Sequence, residues 1–283
     1  MNQIKERIIH LKEDRPAYKE MLNFYENLVQ VLDEVKPLLS ISGGEFKREL
    51  TEFQIREGFH LLNKEDFAID ISSSVNLFNS LCKIGKNTNE KMKENIESIE
   101  TAIQQGNLHL EELLKRHFDE SSIERTARDS RINKSILNFL VHMSVLPSIH
   151  ARVKKLKERV NMKNWLRSYC PICGSLPQIS ALKGEGQRYL LCSFCGFEWQ
   201  SDRLKCPFCQ NAEQNTLHYF YEEGKDAYRL DLCDKCKQYI KTIDLRKLID
   251  VTYLELEDIT TIHLDILASE RGYRRPIPSP WGI

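Results

Sequence analysis

The sequence predicts a mixed fold: an N-terminal irregular helical domain, two tandem metal-held β modules built on cysteine knuckles, and a C-terminal helix. Three observations carry this reading. Apolar residues recur at three-and-four spacing through the first 163 residues. Eight of the nine cysteines stand as four C-x-x-C pairs between Cys170 and Cys236. Helical spacing then returns after Ile243.

With 283 residues the chain is long enough to bury one large core or two smaller ones. Its 41% hydrophobic and 29% charged residues are those of an ordinary globular protein. The opening "MNQIKERIIHLKEDRPAYKE" alternates charged and apolar residues and does not read as a secretory signal. No stretch approaches the roughly 18 uninterrupted apolar residues of a membrane helix, so the expectation is a cytoplasmic protein without membrane insertion. In a reducing compartment, paired cysteines are more often metal ligands than disulfides.

The helical elements follow in order. Asp14 before Pro16 marks a helix start. Tyr18, Met21, Leu22, Tyr25, Leu28, Val29, Leu32 and Val35 then draw one apolar face, broken by "SGGE" at 42–45. A second stripe runs through Met92, Ile96, Ile99 and Ile103, and a third through Leu110, Leu113, Leu114 and Phe118. Ile136, Leu137, Leu140 and Val141 form another before Pro147, and Val153, Leu156 and Val160 the last. The polar "SSIERTARDSR" at 121–131 reads as a mobile connection. Cys82, among Leu77, Phe78 and Leu81, reads as a buried, inert thiol.

From Trp165 glycine, proline and aromatics become frequent, and "RYLLC" and "LHYFYEE" read as strands. The expected units are a helical domain at 1–163, four-cysteine modules at 164–203 and 204–243, and a C-terminal helix and tail at 244–283. Leu256, Ile259, Ile262, Ile266 and Leu267 share one face of that helix, which should end near Gly272. Asp258 and Asp265 lie off this stripe, on a solvated face.

The cysteine pairs are Cys170/Cys173, Cys192/Cys195, Cys206/Cys209 and Cys233/Cys236, separated in turn by 18, 10 and 23 residues. A C-x-x-C turn sets two thiolates on one side of a tight loop, half of a tetrahedral metal–S₄ site. The first two pairs fit the usual zinc-site spacing and the last two slightly exceed it. Two tandem sites is the simplest assignment; a cross-braced pairing of first with third and second with fourth stays open. Gly174 and Gly196 follow the second cysteine of their pairs, where the turn favours positive φ. Gln210 and Lys237 hold the same place in the second module, which implies a strained or differently shaped knuckle. Ferredoxin cysteine runs are absent, and both zinc and iron accept tetrahedral S₄.

Function classes divide on these sites. Residues 164–243 hold ten Lys/Arg against nine Asp/Glu, and eight thiolates with two divalent ions make the pair of modules net negative, poorly suited to phosphate. The whole chain is neutral, 41 basic against 41 acidic residues, which adds no case for nucleic acid. Tyr189, Phe194, Phe197 and Trp199 read as module core rather than as base-stacking surface. Closed four-cysteine sites lack the open position of catalytic zinc, and no nucleophile elbow, phosphate loop or HExxH is present, which points away from an enzyme. His142, His218 and His263 read as ordinary helix or strand residues. A metal-supported interaction protein remains, with a zinc-ribbon transcription or nucleic-acid module as the alternative.

One resemblance sharpens this. "RPAYKEMLNFYE", "CPICGSLPQ", "GQRYLLCSFCGFEWQSDR", "CPFC", "CDKCKQYIKT" and "LEDITTIHLDILASERGYRR" resemble, in order, the FdhE family of formate dehydrogenase accessory proteins, over nearly the whole chain. The resemblance implies rubredoxin-like or zinc-ribbon modules and a cytoplasmic role in making formate dehydrogenase active. It further implies contact with the molybdenum or tungsten catalytic subunit and two metal ions, zinc or iron, with an iron redox role as a variant. Arg188, Tyr189, Glu198, Trp199 and Arg203 belong to the matched block. With Asp258 and Asp265 they are the candidate partner-binding residues, Arg188 and Arg203 being expected to pair with Glu198. Tyr239 and Lys241 match the family's "YIKT" and should end the second module. Where the family has DD-x-A-T this chain has Glu257-Asp258-Ile259-Thr260-Thr261, and its end reads "SPWGI".

Overall fold

The computed structural model describes residues 2–36, 39–40, 52–157, 165, 167–222, 224–248 and 252–278. The expected break at 42–45, Val160, the boundary at 163/164 and the "SPWGI" end lie outside the described residues.

Among the described residues eight helices lead: α1 (Asn2–Asp14), α2 (Lys19–Val35), α3 (Glu52–Glu57), α4 (Ile71–Lys86), α5 (Glu90–Gln104), α6 (Leu110–Lys115), α7 (Glu120–Asp129) and α8 (Lys134–Lys157). The stripe on α2 buries Leu22, Phe24, Leu28 and Val29. Asp14 closes α1 rather than opening α2, and Pro16–Tyr18 forms a 3-10 turn between the two. Residues 121–131 do not form a mobile connection. Asp119 accepts from the backbone N–H groups of Ser121 and Ser122 (both 3.1 Å), and α7 buries Ile123 and Ala127, one turn apart. Nor does Pro147 end a helix: α8, 24 residues in all, runs through it with buried residues on both sides. Packing on both flanks outweighs the lost backbone bond. By length and composition alone α8 could cross a membrane, yet 61% of its apolar stretch is buried inside the fold.

Six strands follow: β1 (Pro177–Lys183), β2 (Gln187–Cys192), β3 (Glu198–Ser201), β4 (Leu217–Glu222), β5 (Lys225–Cys233) and β6 (Gln238–Asp244). They form one sheet in the order β3-β2-β1-β6-β5-β4. Each four-cysteine region contributes an antiparallel three-stranded half. The halves join through parallel pairing of β1 with β6, where Ser180 faces Thr242 and Leu182 faces Asp244. β3 and β4 are the sheet edges.

Two cores flank the sheet. One runs unbroken from α4, α5 and α8 into Trp165, Phe194, Phe197, Trp199 and the first four clustered cysteines. The other sets Ile179, Tyr228, Leu230 and Ile243 against Leu254, Leu264 and Ala268. The last three lie on α9 (Leu254–Ile259) and α10 (Ile262–Glu270). The single helix expected here is thus two. The hydroxyls of Thr260 and Thr261 donate back to the carbonyls of Leu256 (3.1 Å) and Glu257 (2.6 Å), competing with the helical ladder. Gly272, at φ +80°, ends α10 as expected.

Asp258 and Asp265 are buried, not solvated. Lys241, fully buried on β6, bonds Asp258 (2.7 Å) and Asp265 (2.6 Å), and Arg275 reaches the same two carboxylates. Tyr239 donates to Asp265 at 2.8 Å. A second buried set joins Arg7 of α1 to Glu257 (2.7 Å), which also accepts from Tyr228 (2.9 Å). These charges tie both ends of the chain to the sheet.

Burial alone would raise the Asp258 carboxyl, but Lys241 and Arg275 outweigh it and hold the group at about 2. Its folded pKa therefore lies below the unfolded value of about 3.9, so its contribution is complete above about pH 4 and is lost as pH falls toward 2. Lys241→Ala leaves two buried carboxylates facing a single cation, Arg275. It is expected to cost about 3–5 kcal/mol in urea unfolding of the metal-loaded protein. An unchanged midpoint would remove the network from the account of stability.

Candidate metal centres

All four C-x-x-C segments adopt one turn. The residue after each second cysteine bonds back to the first: Gly174 N–H to Cys170 (2.8 Å), Gly196 to Cys192 (3.2 Å), Gln210 to Cys206 (3.1 Å) and Lys237 to Cys233 (2.8 Å). Each of these residues has positive φ: +72°, +65°, +61° and +54°. The second module's knuckles therefore have the same shape as the first, and non-glycine residues bear the left-handed strain there. Gln210 offsets part of it by donating its side-chain amide to the Cys206 carbonyl.

The turns bring the sulfurs together in tandem. Cys170, Cys173, Cys192 and Cys195 form one set, and Cys206, Cys209, Cys233 and Cys236 the other. The cross-braced pairing is not what the fold adopts. Close Sγ–Sγ separations are 3.4–3.6 Å in the first set and 3.7 Å in the second. A tetrahedron with metal–sulfur bonds of about 2.3 Å has edges of about 3.8 Å. The donor sets thus fit one ion each. Ligand type and closure suit zinc or iron equally.

Electrostatics make the same point. Burial and neighbouring thiols push Cys170 well up, while hydrogen bonds from Cys170, Cys192 and Cys195 pull Cys173 down. The first pocket thus tolerates a thiolate only while its neighbours stay protonated; four thiolates need a cation. Backbone N–H groups of Phe194 and Cys195 already point at Cys192 Sγ, both at 3.4 Å. In the second set burial would raise Cys233, but N–H groups of Cys236 and Lys235 and the Asn211 amide bring it to about 7.

The sites differ in setting. All four first-set cysteines are buried, whereas Cys209 is exposed and Cys236 half-buried. The helical domain closes the first site: the N–H groups of Leu61 and Leu62 donate to the carbonyls of Pro171 (2.9 Å) and Ile172 (2.8 Å). His60 and His150 press on the two knuckle glycines. A Cβ at Gly174 would lie 2.9 Å from His60 Nδ1, and one at Gly196 would lie 2.8 Å from His150 Nε2. Sequence reasoning missed both histidines, because nothing local marks a residue packed against a turn tens of residues away.

The remaining candidates disperse. Arg188 is buried and pairs with Asp231 at 2.6 Å, not with Glu198. Glu198 pairs with Lys183, whose ammonium stands over the Tyr189 ring. Arg203 is exposed and meets the Gly186 carbonyl. Trp199 is interior, at 1% exposure, and its indole donates to the Arg167 carbonyl. Cys82 is buried, its thiol pushed up to about 12 by desolvation. His218 pairs with Asp234, and His263 with the Tyr18 hydroxyl.

Fold and sites define a protein with two closed four-cysteine metal sites on one sheet, capped by a helical domain. Two family models match it, "FdhE, central domain" over residues 169–203 and "FdhE, C-terminal domain" over 204–281. A "Protein FdhE homolog" from Aquifex aeolicus is 29% identical over 272 residues, covering 94% of this chain and 90% of that one. "Protein FdhE" from Escherichia coli is 33% identical over 119 residues, 41% of this chain and 38% of its own length. The crystal structure of the FdhE protein from Pseudomonas aeruginosa superposes with a TM-score of 0.67 at 20% identity, covering 98% of this chain and 93% of that one; it shares the fold. The chain is thus similar to FdhE proteins over nearly its whole length, and its residues 169–281 match the FdhE central and C-terminal domain models.

Gly196→Ala places a side chain in left-handed backbone against His150. It is expected to lower stability by about 1–3 kcal/mol in thermal unfolding of the metal-loaded protein. Gln210→Gly, which relieves the same strain in the second module, is expected to be neutral or to gain up to about 1 kcal/mol. The reverse order would mean that the two knuckles do not share a conformation.

Proposed function

We propose that this protein is a formate dehydrogenase maturation factor that works by binding the catalytic subunit in the cytoplasm, without catalysing a reaction itself. The carrying observation is the pair of closed four-cysteine sites in a chain whose residues 169–281 match the FdhE central and C-terminal domain models. With four cysteines on each ion there is no open position for substrate, so the metal's contribution is to hold the knuckles folded. Cys170, Cys173, Cys192 and Cys195 would hold one ion, and Cys206, Cys209, Cys233 and Cys236 the other. Eight of the nine cysteines are gathered as metal-ligand sets, the use of cysteine favoured in a reducing compartment.

The protein's own residues give the ions a scaffold role of unequal depth. The first site is a buried keystone between helical domain and sheet. The second stands at the surface, where Cys209 is exposed. An exposed thiolate centre is also where electrons would pass if the ion were iron, which is the redox variant of this reading.

Anaerobic purification from the native host is expected to give about two metal ions per chain, as the two four-thiolate sets require. Colourless zinc protein would end the redox variant, whereas iron with reversible thiolate absorption bands would establish it. Cells lacking the gene are expected to lose formate dehydrogenase activity, with the wild-type chain restoring it and co-purifying with the catalytic subunit. Full activity in the deletion strain would overturn the proposal.

A further inference from the structure

The sheet face opposite α9 and α10 carries a cavity that the metal sites do not explain. Alternation along β5 separates the two faces. Tyr228, Leu230 and Leu232 pack with the C-terminal helices, while Arg229, Asp231 and Cys233 line a cavity of about 680 Å³. Sites for small organic molecules commonly span about 300–1,000 Å³.

The buried floor of this cavity holds more positive charge than negative. Arg188 is 3% exposed and Arg229 5%, and both turn to the one carboxylate of Asp231, at 2.6 and 3.0 Å. Lys205 is matched by Asp202 and leaves the balance unchanged. One guanidinium charge is thus buried without a carboxylate of its own, which is costly unless an anion meets it. The second set of cysteines does not meet it. Arg188 spends Nη1 on the Lys205 carbonyl (2.9 Å) and Nη2 on Asp231, and Arg229 spends Nε and Nη2 on Asp231; among the described residues neither reaches a sulfur. Arg188 Nε is buried without a partner, and Arg229 Nη1 is left for the cavity.

Strand register gives the cavity two unlike ends. Leu217 faces Cys233, Tyr219 faces Asp231 and Tyr221 faces Arg229. Arg229 lies four residues from Cys233, roughly 13 Å along β5. Leu217, Pro207 and Phe208 wall the end at the second cysteine set, the guanidiniums stand at the other, and the Tyr219 ring lies between. That cysteine set is complete with four ligands, so its wall offers no open metal position.

We infer that this cavity binds a small organic anion, a carboxylate or phosphate on an apolar or aromatic body. The anionic group takes Arg229 Nη1 beside Arg188, whose guanidiniums suit either oxyanion. The body lies against Tyr219 and Phe208. The inference stands apart from the binding role proposed above.

The test titrates the full metal-loaded chain by calorimetry with benzoate, adenosine monophosphate and inorganic phosphate, and with the uncharged benzamide and adenosine. Two variants are titrated alongside. Arg229→Gln removes the cation, and Leu204→Asp sets a negative charge on the cavity wall at a residue 63% exposed. Metal content and thermal unfolding check that each variant is folded, and the exposed Leu204 position keeps the test decisive should Arg229→Gln unfold. The expected result is one-site binding of benzoate or adenosine monophosphate, tighter than inorganic phosphate and absent for the uncharged analogues. Each folded variant is expected to weaken it by about tenfold or more. Preference for benzoate assigns a carboxylate ligand, and preference for adenosine monophosphate a phosphate. Charged and uncharged analogues binding alike, inorganic phosphate binding as tightly as either organic anion, wild type and folded variants binding alike, or no binding of either organic anion at millimolar concentration would each overturn the inference.

Discussion

Four thiolates cannot gather in a dry pocket without a cation, and this constraint organises the rest of the molecule. The 3.4–3.6 Å sulfur separations at the first site are close to the edges of a tetrahedral four-thiolate metal site. The thiolates' charge has to be met by an ion and by N–H groups aimed at sulfur. Each knuckle must therefore turn through positive φ, because that turn directs successive N–H groups inward. The glycines at 174 and 196 follow from it, as does the close approach of His60 and His150 that their missing side chains permit. The first cysteine set is thus packed between the sheet and the helical domain.

The second constraint is charge in the interior. Lys241, Asp258, Asp265 and Arg275 are at most 8% exposed, and Arg7 with Glu257 is a parallel case. Such sets are rarely more stabilising than an apolar core, but they tolerate few alternative arrangements. They fix where α1, α9, α10 and the tail meet the sheet. The metal sites order the knuckles locally, and the ionic sets order the chain ends globally.

The two sites are chemically alike and environmentally unlike. One is sealed by Trp165, Phe194, Phe197 and the helical core. The other keeps one cysteine in solvent and a second half-buried.

How much of this was legible in the sequence can be argued element by element. C-x-x-C spacing specified both ligand sets, because a knuckle is local and its residues are chemically distinctive. The α2, α5 and α8 stripes were legible for the same reason: one buried face imposes a short period. Readings failed where a distant contact reverses a local preference. Residues 121–131 look polar because only Ile123 and Ala127 face the core, and Pro147 looks like a terminus because its packing on both flanks comes from elsewhere. Asp258 and Asp265 look solvated because their cations are far along the chain, one on β6 and one in the tail. The sequence by itself determined which atoms can bind metal and which segments can be helices. Only the tertiary structure decided that the two modules share one sheet, that one site is buried and the other exposed, and that two aspartates lie inside. Those outcomes depend on contacts between residues distant in the chain, which no local pattern encodes.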